Sequence, residues 1–269
     1  MDMLLQGKRA LITGSTSGIG AQCARVLAAE GVSVIINGRS RKRADAVSAE
    51  IRAAGGIAEI VLGDVTTNDG AKSVIEGTRA AFGGIDILVN NVGNPTQEPH
   101  PSWFDAPLDE WVADYHQNTL AAVRLIHAFV PAMKEHGWGR VIQISSRNAI
   151  SPHALFPTYG AAKSAVNNLT LSLSKELAGT GVTSNGIMPG LIDTPTLDGW
   201  FLEMAKRHTG TEDPKKGRDY VLKNIVHQTV NRLGQPMDIA AAVCFIASPL
   251  SDFMTGTTFR IDGGSTPTV

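Results

Sequence analysis

No apolar run in this chain of 269 residues reaches the ~18 residues that a membrane-crossing helix needs. Its start, Met1-Asp2-Met3-Leu4-Leu5-Gln6-Gly7-Lys8-Arg9, has no basic region followed by a long apolar one, so a soluble, cytoplasmic protein is expected. An excess of either charge is also missing. The formal net charge is -1 and the sequence pI is near 6.7, which leaves no electrostatic footprint for nucleic acid or an anionic membrane. Linkers and low-complexity stretches are absent, and this length can bury a large core, so residues 1–269 read as one domain.

Cysteine is scarce. Cys23 and Cys244 both fall in alanine-rich segments of helical character, as small core residues of a reducing compartment do, rather than as a disulfide or a reactive thiol. None of the seven histidines stands at ligand spacing with another His, a Cys or a carboxylate, so no metal site is expected.

What the chain does have is rhythm. Short apolar runs begin at Ala10-Leu11-Ile12 and recur at 32–36, 58–62, 85–89, 140–144, 182–187 and 257–261. They lack polar alternation, as strands covered on both faces do. Between them, 21–30, 41–54, 109–136 and 159–178 carry apolar residues at helical spacing. Strand, helix, strand repeated this often predicts an α/β fold, a doubly wound parallel sheet of seven strands with helices on both faces. Residues 191–235 break the rhythm with Pro195, Gly199, Gly210, Pro214 and Gly217. They read as one or two short helices on an excursion, either a lid or an ordinary surface insertion.

The first run leads into Thr13-Gly14-Ser15-Thr16-Ser17-Gly18-Ile19-Gly20 and then a helix. Glycines there permit a tight turn and let a pyrophosphate approach backbone N–H groups at the positive end of the helix. The second run ends in Asn37-Gly38-Arg39-Ser40, where NAD-specific folds carry a carboxylate. With no acid to repel a 2'-phosphate, and with Arg39 able to clasp one, NADP is expected rather than NAD. Asp64 and the N–H of Val65, ending the third run, are placed for the adenine edge. Asn91 and Gly93, in Asn90-Asn91-Val92-Gly93, end the fourth run at the edge where open sheets bind ligands, although these residues are also good turn formers.

Tyr159 and Lys163 stand one helical turn apart in Pro157-Thr158-Tyr159-Gly160-Ala161-Ala162-Lys163. A free phenol titrates near ~10, and a cation at roughly 4 Å in an effective dielectric of about 20 supplies about 4 kcal/mol toward the phenolate, enough to bring it near neutrality. Such a tyrosine exchanges protons with a carbonyl or an alcohol. Ser146, 13 residues earlier at the end of the fifth run, can lay its hydroxyl against the same oxygen, while alternation turns Ser145 away.

Thr13 to Gly20, Asn90 to Gly93, Ser146, Tyr159, Lys163 and Pro189-Gly190 together resemble the short-chain dehydrogenase/reductase family, over nearly the whole chain to Asp262-Gly263-Gly264. The resemblance implies a single-domain Rossmann fold and makes Tyr159 the acid/base, Ser146 the hydroxyl that steadies the substrate oxygen and Lys163 the cation beside the nicotinamide ribose. It makes Asn118 the anchor of a water that leads protons to the lysine. Pro189, Gly190, Ile192 and Thr194 are similar to the segment that meets the nicotinamide carboxamide. Val92 replaces the usual alanine and Ala162 the usual serine, without removing a group the chemistry uses.

The implied activity is NADP(H)-dependent interconversion of a ketone and a secondary alcohol. Trp103, Phe104, Leu197, Trp200, Phe201 and Met204 suggest an apolar pocket, or else residues that pin the loops. Basic residues from Lys206 to Arg218 suggest an acidic carrier or a coenzyme A thioester, or else a solvated face. The expected substrate is a 3-oxoacyl thioester, as in the family's 3-oxoacyl-carrier-protein reductases, or another apolar carbonyl. An NAD-dependent sugar, polyol or steroid enzyme is the alternative, and a catalytically silent NADP-sensing or scaffold protein the rival of another class. Family members commonly pair through faces such as Ala161, Ala165, Leu169 and Leu173, so a homodimer or homotetramer is expected.

Overall fold

A computed structural model describes residues 2–96, 100–226 and 228–267. Seven parallel strands form one sheet: β1 (Arg9–Ile12), β2 (Ser33–Gly38), β3 (Ala58–Leu62), β4 (Ile87–Asn90), β5 (Gly139–Ile144), β6 (Val182–Pro189) and β7 (Thr258–Ile261), in the order β3-β2-β1-β4-β5-β6-β7. The central strands β4, β5 and β6 are buried along their whole length, which is why they show no alternation of apolar and polar residues.

Successive residues on a strand face opposite sides. Ile12, Ile36, Val89 and Ile142 therefore pack with Leu27 of α1 (Gly18–Ala29), Val47 of α2 (Arg41–Ala53) and Val243 of α9 (Pro236–Ala247). Their neighbours Leu11, Ile35, Leu88 and Val141 pack on the other side with Val74 of α3 (Asn68–Phe82) and with Leu125 and Phe129 of α5 (Ala121–His136). The strand order reverses between β1 and β4, and the crevice at their carboxyl ends is where the motif residues gather.

The helical stretch read from 109 to 136 is not one helix. It divides into α4 (Leu108–Tyr115), a π-helical turn at His116–Leu120 and α5. One wider turn changes which side chains face inward, and such turns gather at functional sites.

The excursion at 191–235, apart from His227, which lies outside the described residues, holds two helices, α7 (Asp198–Thr209) and α8 (Pro214–Asn224). They enclose their own small core of Phe201, Met204, Val221, Val226 and Leu233. A bridge between Ile192 and Gly234, with Asp193 N–H donating to the Gly234 carbonyl at 2.8 Å, ties the base to β6's exit. Phe201 and Met204 are thus consumed in pinning the excursion, not in lining a pocket.

Cys23 and Cys244 are free and buried, and burial pushes their thiols up to about 12 and about 11, which makes them poor nucleophiles. Among the described residues no helix is long and apolar enough to cross a membrane.

Candidate active site

The turn after β1 is locked to the end of β4. The Thr13 hydroxyl accepts from the N–H groups of Asn91 and Val92 at 2.9 and 3.0 Å, and Asn91 Nδ2 donates to the Thr13 carbonyl at 2.8 Å. A side chain at Gly20 would meet the Gly14 carbonyl and Asn91 Nδ2, each at 2.6 Å from its Cβ, so the helix can approach the turn this closely only as glycine. Ser15 spends its hydroxyl on the Ile12 carbonyl and on the Asn37 N–H, and shapes the turn from within.

The residues present fit a dinucleotide. Ser17 precedes α1 without a side-chain cap, and the first turn of α1 carries no carboxylate. Its N–H groups therefore face outward with no side chain in competition for an anion. Thr16 stands beside Gly38, and Thr194 closes over Gly18, its methyl 3.3 Å from where a Cβ would be. Ile192 is buried at the base of the excursion, and Gly190 lies against the Asp262 backbone with no room for a side chain. Pro189 ends β6 just before it.

At the far end, Asn37 spends its Nδ2 on the carbonyls of Val61 and Gly63. No carboxylate occupies this end of β2, and the Arg39 side chain is 79% exposed, paired at 3.5 Å with Asp64. Burial works to raise the Asp64 pKa, but hydrogen bonds from the Thr66 hydroxyl and N–H and the Arg39 charge hold it below its ordinary value. Ser40 caps α2 through the N–H of Arg43, and Val65 is buried next to Asp64.

The reactive end is built from β5, the π-helical turn and α6 (Pro157–Glu176). Pro157 opens α6 and fixes the start of the turn that carries Tyr159. The Ser146 hydroxyl acts on the Tyr159 phenol to lower its pKa, while Ser145 turns back to the Lys163 carbonyl at 3.3 Å. Lys163 is 1% exposed, donates to the Ile144 carbonyl at 2.8 Å and lies 5.7 Å from the centroid of the Tyr159 ring.

Burial outweighs the neighbouring cation at this phenol. Burial pushes Tyr159 up to about 12, the Ser146 hydrogen bond opposes the rise and the Asp114 charge adds to it. The same burial draws Lys163 down to about 8 against the pull of Asp114. Spacing along a helix predicts the neighbour but not the loss of water, and here the loss of water is larger.

Asn118 donates its Nδ2 to the carbonyls of Asp114 and Asn94 at 3.0 and 3.1 Å, and its buried Oδ1 has no partner. A Cβ on Gly93 would lie 2.5 Å from that Oδ1 and 2.6 Å from Lys163 Nζ, so the glycine keeps open the space between amide and ammonium. Sequence reasoning missed three groups. The Asn90 amide is buried with neither atom bonded, and Glu110 and Asp114 are buried acids behind Tyr159. The last two share the face of α4 opposite its exposed apolar residues Leu108, Val112 and Tyr115, and no signal in the sequence marks that face as the buried one.

Residues 8–204 match the family model for short chain dehydrogenases, and the chain belongs to that family. It is 37% identical to the oxidoreductase YvaG of Bacillus subtilis, over 98% of both chains. It is 35% identical to the 3-oxoacyl-[acyl-carrier-protein] reductase FabG of Haemophilus influenzae, over 97% of this chain and 98% of that one. Among solved structures, the L-sorbose reductase of Gluconobacter frateurii complexed with NADPH and L-sorbose superposes with a TM-score of 0.93 at 31% identity, covering 100% of each chain. The protein is an oxidoreductase acting on CH–OH groups with NAD(P).

Proposed function

We propose that the protein is an NADP(H)-dependent reductase that converts a ketone to a secondary alcohol. The observation that carries the reading is the buried Tyr159 phenol under the influence of the Ser146 hydroxyl, with the buried Lys163 ammonium one turn along α6. A bound reduced dinucleotide supplies hydride to the carbonyl carbon. The chain does the rest. Tyr159, kept protonated by burial, holds its proton at Oη for the carbonyl oxygen, and Ser146 Oγ orients that oxygen. Lys163 offsets the charge left on the phenolate, and Asn118 Oδ1 is an open acceptor on the path that returns a proton to the lysine. Gly14, Ser17, Gly18, Ile19 and Gly20 line the phosphate turn. The exposed Arg39, with no carboxylate beside it but Asp64, supports NADP over NAD, and a structural relative complexed with NADPH agrees with this.

For the substrate, the support for a carrier-bound thioester has thinned. Phe201 and Met204 are withdrawn into the excursion's own core. Three of its cations are paired locally, Lys206 with Glu212, Arg207 with Glu203 and Arg218 with Asp193. Polar residues flank the reactive pair instead, Asn94 on one side and Arg147, Asn148 and His153 on the segment between Ser146 and Tyr159. With the full-length likeness to a sorbose reductase, this favours a polyhydroxy ketone. The test is NADPH oxidation with ketoses, 3-oxoacyl thioesters and oxo-steroids. The expected result is the highest kcat/KM with a ketose, and a highest value with a carrier-bound thioester would overturn the assignment.

A homo-oligomer remains part of this reading. Leu169 and Leu173 pack partly on the core, but Leu108, Val112 and Tyr115 form an exposed apolar stripe one turn apart along α4, a face suited to a second copy.

A further inference from the structure

Behind the first turn of α6 lies a buried polar cluster to which the reaction above gives no role. Glu110 and Asp114 come from α4, Thr158 from α6 and His100 from the segment before α4. Asp114 is completely buried. Its Oδ1 accepts from the Thr96 N–H at 2.9 Å and its Oδ2 from the Thr158 hydroxyl at 2.6 Å. Glu110 Oε1 lies 3.1 Å from the same hydroxyl, and Glu110 Oε2 lies 2.6 Å from His100 Nε2. A hydroxyl has one proton to give, and the shorter contact directs it to Asp114.

The arrangement couples two residues that matter to the site. Thr158 precedes Tyr159, so whatever holds its side chain holds the turn that aims the phenol. The Asp114 carbonyl also accepts from Asn118 Nδ2, at the π-helical turn. One residue thus reaches both sides of the reactive end. Apolar residues of similar volume pack a core as stably as buried acids or more so, so folding alone does not account for a carboxylate here.

We propose that Asp114 is a positioning residue: anchored by Thr96 and bonded to Thr158 and Asn118, it sets the phenol of Tyr159, the ammonium of Lys163 and the amide of Asn118 at their working separations, with Glu110 and His100 as its buttress. The proposal rests on the reading of Tyr159, Ser146 and Lys163 as the reducing set. Among the described residues, the titratable groups around Asp114 are Glu110 on its own helix, with His100 beyond it, and Tyr159 and Lys163 on α6. The Asp114 charge favours the protonated form of Lys163, which burial opposes.

The test uses the full chain with Asp114→Asn, Thr158→Val and Thr158→Ser. Asp114→Asn and Thr158→Val should each lower kcat about 10- to 100-fold, the size of effect that a misplaced catalytic group produces. The NADPH dissociation constant, read by fluorescence, should stay within about threefold, and Thr158→Ser should keep kcat near that of the parent. In Asp114→Asn the alkaline limb of kcat/KM should move to lower pH, because the charge that holds the proton on Lys163 is gone. The ring resonances of Tyr159, picked out among three tyrosines by their loss in Tyr159→Phe, should shift in Asp114→Asn and Thr158→Val while those of Tyr220 stay. Unchanged kcat in both variants, a Thr158→Ser protein as slow as Thr158→Val, or an unmoved Tyr159 resonance overturns the proposal. If Asp114→Asn does not fold, the two Thr158 variants decide it. A parent chain that reduces no carbonyl defeats the functional reading instead, and the Tyr159 resonance, which needs no substrate, still decides the positioning role.

Discussion

Lys163 gives a hydrogen bond to the carbonyl of Ile144, the last residue of β5, at 2.8 Å. This bond ties the ammonium to the sheet edge rather than to the phenol one turn away, and it keeps a charged group in a place almost closed to water. The lysine is thereby held at the end of β5, one helical turn from the tyrosine.

The pH dependence of reduction follows from that burial. Lys163 is drawn down from an ordinary value of 10.5 to about 8 by loss of water. Reduction needs the ammonium, so kcat/KM for NADPH, which reports the free enzyme, is expected to fall as pH rises through about 8. Tyr159, pushed up to about 12, stays protonated across this window and adds no limb. A profile flat to pH 10 would contradict this.

Gly93→Ala tests the space between Asn118 and Lys163. The added Cβ would stand 2.5 Å from Asn118 Oδ1 and 2.6 Å from Lys163 Nζ, closer than real contacts come. One of the two side chains must move, and a fall in kcat of about 10- to 100-fold is expected. Steady-state kinetics measure it, and a variant with the parent's kcat would mean that the space has no role.

Arg39→Ala tests the cofactor assignment. Removal of the guanidinium should weaken NADPH binding by about 10- to 100-fold, since a charge-assisted contact with phosphate contributes about 1.5–3 kcal/mol. NADH affinity should change little. Parallel titrations of both dinucleotides read the difference, and equal losses for both would remove Arg39 from the phosphate site.

Much of this architecture was legible beforehand, for identifiable reasons. Strands buried on both faces lack polar alternation, so β1 to β7 were found with boundaries shifted by a residue or two. The glycine turn, Ser146, Tyr159 and Lys163 were legible because their spacing and their neighbours constrain each other. The break at His116–Leu120 was not, since a π-helical turn needs only one more residue per turn and leaves the apolar period almost intact. Asp114 and Glu110 were missed because a charged residue on a helix reads as solvent-facing until packing says otherwise. Phe201 and Met204 were left between a pocket and the pinning of loops because apolarity tells that a residue is buried, not against what. The burial of the phenol was not legible, because desolvation belongs to three dimensions, whereas the spacing of Tyr159 and Lys163 belongs to one.

The central claim is that Tyr159 delivers the proton, and Tyr159→Phe tests it most directly. NADPH-dependent ketone reduction should fall by about 100- to 10,000-fold, the usual contribution of a positioned general acid, while NADPH still binds. Turnover near that of the parent, with the dinucleotide bound as before, would contradict the account.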